Sequence, residues 1–110
     1  MEKVLTIDGK EVRLKSTAAT PLRYKAQFGR DYFADLIRLS KLADLRQADG
    51  SLNHNALDGV DFEIFYNIIW AMAKTADKDL PDPMTWLDGF EVFPIMEIIP
   101  QVQDLILANL

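Results

Sequence analysis

Asp77, Asp79 and Asp82 lie within six residues of one another, a spacing at which carboxylates can share a cation or divide acid and base roles. They stand among Lys78, Pro81 and Pro83, the composition of a solvated turn, and that reading takes precedence. Asp49-Gly50-Ser51 invites comparison with a calcium loop. With Gly50 at the sixth loop position, however, the first and twelfth positions fall on Leu45 and Ala56, and both end carboxylates are missing. His54 is the only histidine and sits in the polar stretch 46–56, where a solvated imidazole is expected rather than a ligand. Nucleophilic catalysis needs a hydroxyl or thiol beside a base. The serines Ser16, Ser40 and Ser51 occupy no strand-to-helix elbow, cysteine is absent, and the five glycines stand singly instead of forming a phosphate cradle. The expectation is no catalytic residue, no cofactor and no metal: an interaction protein, not an enzyme.

The 110 residues fit one domain, 1–110, long enough to bury a real core. At 49% hydrophobic and 26% charged the chain has the composition of a folded globule. No apolar run reaches the length of a membrane span, and the first ten residues lack the apolar centre of a signal peptide, so no membrane partner and a cytoplasmic address are expected. The net charge of −5 argues against a nucleic-acid partner. Its distribution is uneven. Residues 1–46 carry ten Lys/Arg against six Asp/Glu, and residues 47–110 carry two against eleven, so +4 and −9 make up the −5. Opposite halves either attract within one fold or let one copy meet the next head to tail. For the second reading the basic contributors are Arg13, Lys15, Arg23, Lys25 and Arg30, and the acidic ones are Asp77, Asp79, Asp82 and Glu91.

The elements that position these side chains divide into an N-terminal β-hairpin, residues 1–16, and a helical body, residues 17–110, giving a mainly α (α+β) class with four or five helices. Lys3–Ile7 and Glu11–Lys15 flank Asp8-Gly9, a pair suited to a tight primed turn. The centre is Asp61–Ala76, uninterrupted by Gly or Pro. Phe62, Phe65, Tyr66, Ile69, Met72 and Ala73 recur at helical spacing, and Ile64, Ile68 and Ala71 carry the apolar surface further round, so Phe65, Ile68, Ile69 and Met72 should be well buried. Glu63, Asn67, Trp70 and Lys74 form a narrow polar stripe at about 100° per residue. Either another segment covers Trp70, the reading its size favours, or a partner does; within the polar stripe it should sit at the edge of the core or between chains.

Thr20-Pro21 reads as a cap and first-turn proline for a short helix to Phe28, stopped by Gly29. Asp31 caps the next helix, to about Leu45, with Tyr32, Phe33, Leu36, Ile37, Leu39, Ser40 and Ala43 inward and Asp35 and Arg38 as an exposed pair. Residues 46–56 read as a loop. Asp82-Pro83 opens a short helix presenting Met84, Trp86 and Leu87, and a last helix from Pro94 buries Ile95, Ile98, Ile99, Val102, Leu105 and Ile106, with a kink or restart at Pro100.

The segment Thr17–Leu36, TAATPLRYKAQFGRDYFADL, follows a hairpin ending in Lys15-Ser16-Thr17. Its Arg23-Tyr24, three residues, then Phe28-Gly29-Arg30-Asp31, joined later by the helix end Ala71–Asp77 and by Trp86-Leu87-Asp88, resembles the tail assembly chaperones of long-tailed phages and prophages of Gram-positive bacteria. The likeness runs in order over nearly the whole chain. It implies a protein that coats the tape measure protein, keeps it soluble, helps recruit tail-tube subunits, self-associates, and is absent from the finished virion. It also implies a longer frameshifted form, with the apolar end at Leu110 as the junction. It supplies no assigned functional residues. From the residues themselves, partner contacts are expected at Trp70 and Trp86, with Arg23 and Lys25 opposite Asp79 and Asp82. The alternatives are a virion structural or head–tail connector component, another non-enzymatic protein-interaction domain, or a small enzyme or ligand binder whose site is not visible in sequence.

Overall fold

The computed structural model of the chain describes residues 1–40 and 62–108. Strands β1 (Glu2–Ile7) and β2 (Lys10–Lys15) pair antiparallel. Between them Asp8 (φ 53°) and Gly9 (φ 74°) both take left-handed backbone, as a two-residue primed turn demands. The register sets Leu5 opposite Val12, Lys3 opposite Leu14 and Ile7 opposite Lys10. One face thus carries the buried Leu5, Ile7, Val12 and Leu14. The other carries Val4 and charged residues, with Arg13 donating to Glu2 at 2.6 and 3.1 Å. Two strands alone are marginal in water, and here the helices supply the missing cover: β2 lies on the central helix and β1 meets the last one.

Five helices follow among the described residues: α1 (Thr20–Phe28), α2 (Tyr32–Ser40), α3 (Phe62–Ala76), α4 (Pro83–Asp88) and α5 (Ile95–Leu107). The α+β architecture expected of the chain is the one observed. Helix α3 is its centre, in contact with β2, α1, α2 and α4. Phe65, Ile68, Ile69 and Met72 are fully buried, while Phe62, in the first turn, is 37% exposed. Burial continues through Ile98, Ile99, Val102, Leu105 and Ile106 of α5. No helix among the described residues is long and apolar enough to cross a membrane.

Local signals account for most boundaries. Gly29 (φ 69°) closes α1 in left-handed geometry, its N–H reaching the Lys25 carbonyl. The Asp31 carboxylate accepts from the Ala34 N–H at 3.3 Å, capping α2. Asp82 caps α4, accepting from Thr85 N–H at 3.1 Å and from its hydroxyl at 2.7 Å, with Pro83 in the first turn.

Several expectations need correction. Thr20 is not a cap but lies within α1; its hydroxyl accepts from Thr17 N–H at 3.0 Å and meets the Thr75 hydroxyl at 3.2 Å, tying α1 to α3. On α2 the inward face is Tyr32, Asp35, Leu36 and Leu39, whereas Phe33 and Ile37 are 38% and 61% exposed. A nine-residue helix buries one stripe, and Phe33 and Ile37 sit about 100° round from it. Helix α5 does not restart at Pro100 but runs on through it, with the ring on the exposed side and the neighbouring Glu97 carbonyl accepting from the Gln101 side-chain amide at 2.9 Å. Ala43, the helix end near Leu45, the loop 46–56 with His54, the rejected calcium loop, Asp61 and the Leu110 terminus lie outside the described residues.

Candidate functional site

Trp70 is not at the edge of the core. It is 3% exposed, its indole N–H donates to the Pro81 carbonyl at 2.9 Å, and Phe28 packs edge-on against it at 5.6 Å. Lys74, one turn on, donates to the Leu80 carbonyl at 2.6 Å. The Trp70–Lys74 part of the polar stripe of α3 is thus covered from within the chain: the turn after α3 folds back and offers carbonyls to the Trp70 and Lys74 side chains. Asn67 is buried there too. Trp70→Phe keeps the aromatic body and removes the donor, so it should lower stability by about 1 kcal/mol. A urea midpoint equal to wild type would show that this hydrogen bond adds nothing to the fold.

Trp86 is half-buried in an aromatic cluster, with Phe90 at 5.3 Å and Phe93 at 5.9 Å, and Phe93 reaches Phe65 and Tyr66 in turn. The hairpin tip is pinned beside this cluster. Asp8 accepts from the Glu91 N–H at 2.9 Å, and Lys10 donates to the Gly89 carbonyl while lying over the Phe90 ring at 5.1 Å.

The four charged candidates are not brought together. Lys25 is exposed and makes a long 3.4 Å bond to the Gly29 carbonyl; Arg23 is half-buried, with its Nε unpaired inside the protein. Asp79 is exposed, its own N–H bonded to the Asp77 carboxylate, and Asp82 is occupied as the α4 cap. Among the described residues no ion pair joins the basic two to the acidic two. Other members of the basic set are neutralised within the chain: Arg13 by Glu2 and Arg30 by Asp35.

Asp35 is the least expected of these partners. Read as half of an exposed pair, it is 1% exposed. It accepts from the Tyr24 hydroxyl at 2.6 Å, from Arg30 at 2.7 and 2.9 Å, and from Arg38 at 2.8 Å. Burial works against its charge, but hydrogen bonds from Arg30, Tyr24 and Arg38 outweigh it and hold the carboxyl below the ordinary value of 3.8. Burial first, then the bond to Asp35, push the Tyr24 hydroxyl well up, and burial alone pushes Tyr32 up to about 12. The Tyr32 hydroxyl is buried without a hydrogen-bond partner. The cluster joins the start of α2 to α1 and the turn between them, across the Arg23–Asp35 part of the motif segment.

Among the described residues, two of the surface depressions carry exposed apolar side chains that sequence reasoning did not single out. One is a groove of about 520 Å³ between α1, α3 and α4, floored by Phe28, Tyr66, Met84 and Leu87, with Glu63 and Asp82 as its charged lining. Met84 stands 72% exposed in it. The other is a depression of about 430 Å³ on the α1–α2 face, where Leu22 (74% exposed) and Phe33 stand beside Lys25. The available signal was the opposition of Leu22 to Tyr24, about 160° apart on a helix whose other side is core. Such surfaces take apolar side chains, with neighbouring charge deciding whose. Among the described residues no three His, Asp or Glu side chains are grouped to hold a metal. Comparisons with family models, with curated proteins and with solved structures found no match to this chain.

Proposed function

We propose that this chain is a tail assembly chaperone of a long-tailed phage or prophage of a Gram-positive host. In this reading it is a self-associating, non-catalytic binding protein of the host cytoplasm that keeps the tape measure protein soluble and helps bring tail-tube subunits to it. The observation that carries the reading is the ordered likeness of Thr17–Leu36, Ala71–Asp77 and Trp86–Asp88 to that family. Exposed apolar side chains at Leu22, Phe33, Ile37 and Met84 support it in a general way, because a holdase needs apolar surface facing its client.

Co-expression with the tape measure protein of its own genome is the test. The tape measure protein should move from the pellet to the soluble fraction, and the two should co-purify. Mass spectrometry of purified virions should not find this chain. A tape measure protein that stays insoluble sinks the chaperone reading, and stoichiometric presence in virions favours a structural or connector component.

A further inference from the structure

The sheet has two strands, so the outer edge of β2 has no strand beside it. The two-residue turn makes Ile7–Lys10 a hydrogen-bonded pair. Leu5–Val12 and Lys3–Leu14 are then hydrogen-bonded too, in phase with the 2.8 Å bond from the Ser16 N–H to the Met1 carbonyl. Glu11, Arg13 and Lys15 therefore turn their backbone N–H and C=O groups away from β1. Among the described residues these groups meet no hydrogen-bond partner. The Arg13 guanidinium is drawn across the hairpin to Glu2 at 2.6 Å, clear of that edge. Beside the edge lies a cavity of about 210 Å³ between β2, the end of α3 and α4. Its apolar walls are Val12, Ala73, Ala76, Leu80 and Trp86; Arg13 and Asp77, one of each sign, also line it, which suits it to a neutral side chain. A cavity of about 150 Å³ can hold benzene, so this one has room for a leucine or phenylalanine side chain.

We infer that this edge takes a third strand: an extended peptide segment of another protein, antiparallel to β2, with one apolar side chain in the cavity. The open backbone groups require an extended chain and the cavity requires an anchor, the two parts of recognition by strand addition. The pleat sets the pattern. A residue paired with Arg13 exchanges both backbone bonds with it and carries its side chain on the outer face. The next residue, opposite Val12, carries its side chain on the inner face, into the cavity. Two residues before the Arg13 partner, the side chain opposite Lys15 is again on the outer face. Lys15 makes no ion pair or hydrogen bond among the described residues, so an acidic side chain there is complementary. In chain order the occupant reads acidic, any, polar, apolar. A second copy of this chain fits less well. Its strands are backed by helices in a body whose smallest extent is 24 Å, and that bulk would meet residues 77–80 and α4 before strands reached a spacing of about 4.8 Å. The inference goes beyond the chaperone reading and does not rest on it.

A capped, fluorescently labelled peptide, Thr-Glu-Thr-Glu-Leu-Thr, tests the geometry by anisotropy titration with the full chain. Its glutamates fall opposite Lys15 and Arg13 and its leucine opposite Val12. It should bind with a Kd below about 1 mM. N-methylation of both glutamates removes the donors that face β2 and should weaken binding about ten-fold. N-methylation of the leucine and of the threonine between the glutamates removes donors that face away, and should leave binding nearly unchanged. Alanine in place of the peptide's leucine should cost about ten-fold, as should Ala76→Leu in the protein, which fills the cavity from the half-buried end of α3. Should Ala76→Leu shift the urea midpoint, the peptide variants alone decide. No binding at about 1 mM, equal losses from the two methylated peptides, or an alanine peptide that binds like the leucine one overturns the inference. So does a chain that associates with itself in sedimentation and is dispersed by the peptide, since the occupant is then a second copy. Solubility of the tape measure protein on co-expression is read separately, so a failed strand addition and a failed chaperone reading leave different records.

Discussion

Phe65→Ala should cost about 3–5 kcal/mol of stability. Phe65 is fully buried at the middle of the packing. It meets Tyr66 at 5.7 Å and Phe93 at 6.1 Å, and so joins α3 to the aromatic cluster that holds Trp86 and the hairpin tip. Removing the ring deletes its transfer free energy and leaves a cavity walled by elements that cannot all move in at once. Ile69→Ala, also at a fully buried site, should cost about 2–5 kcal/mol. Urea unfolding followed by fluorescence and by circular dichroism should give coincident transitions shifted to lower denaturant. A midpoint within error of wild type would mean that α3 is not the centre of the core.

These centres were legible because each announces itself over short range. The alternation around Asp8-Gly9 and the continuous apolar run of α3 are patterns that one element imposes on its own residues. Gly29, Asp31 and Asp82-Pro83 punctuate helices for equally local reasons. What could not be read was which polar group another segment would cover. Trp70 among Glu63, Asn67 and Lys74 looks like a surface residue until the chain turns at 77–82 and sets the Leu80 and Pro81 carbonyls against it. Asp35 looks like half of a helical surface pair. Only the meeting of α1 with α2 shows that Tyr24 and Arg30 also converge on it. Both errors have the same direction: a long-range hydrogen bond made a polar position an interior one. The apolar surfaces failed in the opposite sense. Phe33 and Ile37 were read as inward because they are apolar, yet a helix of nine residues buries one stripe and leaves the rest outside.

Asp35→Ala should lower stability by about 2 kcal/mol, and Asp35→Asn by less, with a pH signature that separates charge from volume. Removing one partner of a buried ion pair can cost about 3–5 kcal/mol when the charge left behind is itself buried. Here the guanidiniums of Arg30 and Arg38 remain 43% and 58% exposed and return to water, so that penalty is discounted. What persists is the Tyr24 hydroxyl, buried and deprived of its acceptor, a loss of about 1–3 kcal/mol. The sign of the pH dependence follows from the depressed pKa. The folded state holds Asp35 ionised below the pH at which the unfolded chain would protonate it, so its contribution is fully present above about 3.8 and declines as pH falls through that value toward the lower folded pKa. Glu2, Asp82 and Asp104 are shifted the same way: Glu2 by its bond to Arg13, Asp82 by its cap bonds to Thr85, and Asp104 by its bond to Lys3. These are exposed groups, and the two ion pairs among them are screened by salt. Unfolding midpoints from pH 7 to pH 3, taken for wild type and Asp35→Asn in 0.5 M salt, isolate the buried group. Wild type should lose stability across the acid limb and Asp35→Asn should lose less, so that the gap between them closes toward pH 3. Parallel curves at all pH values would show that Asp35 holds α1 to α2 by shape alone, with no contribution from its charge.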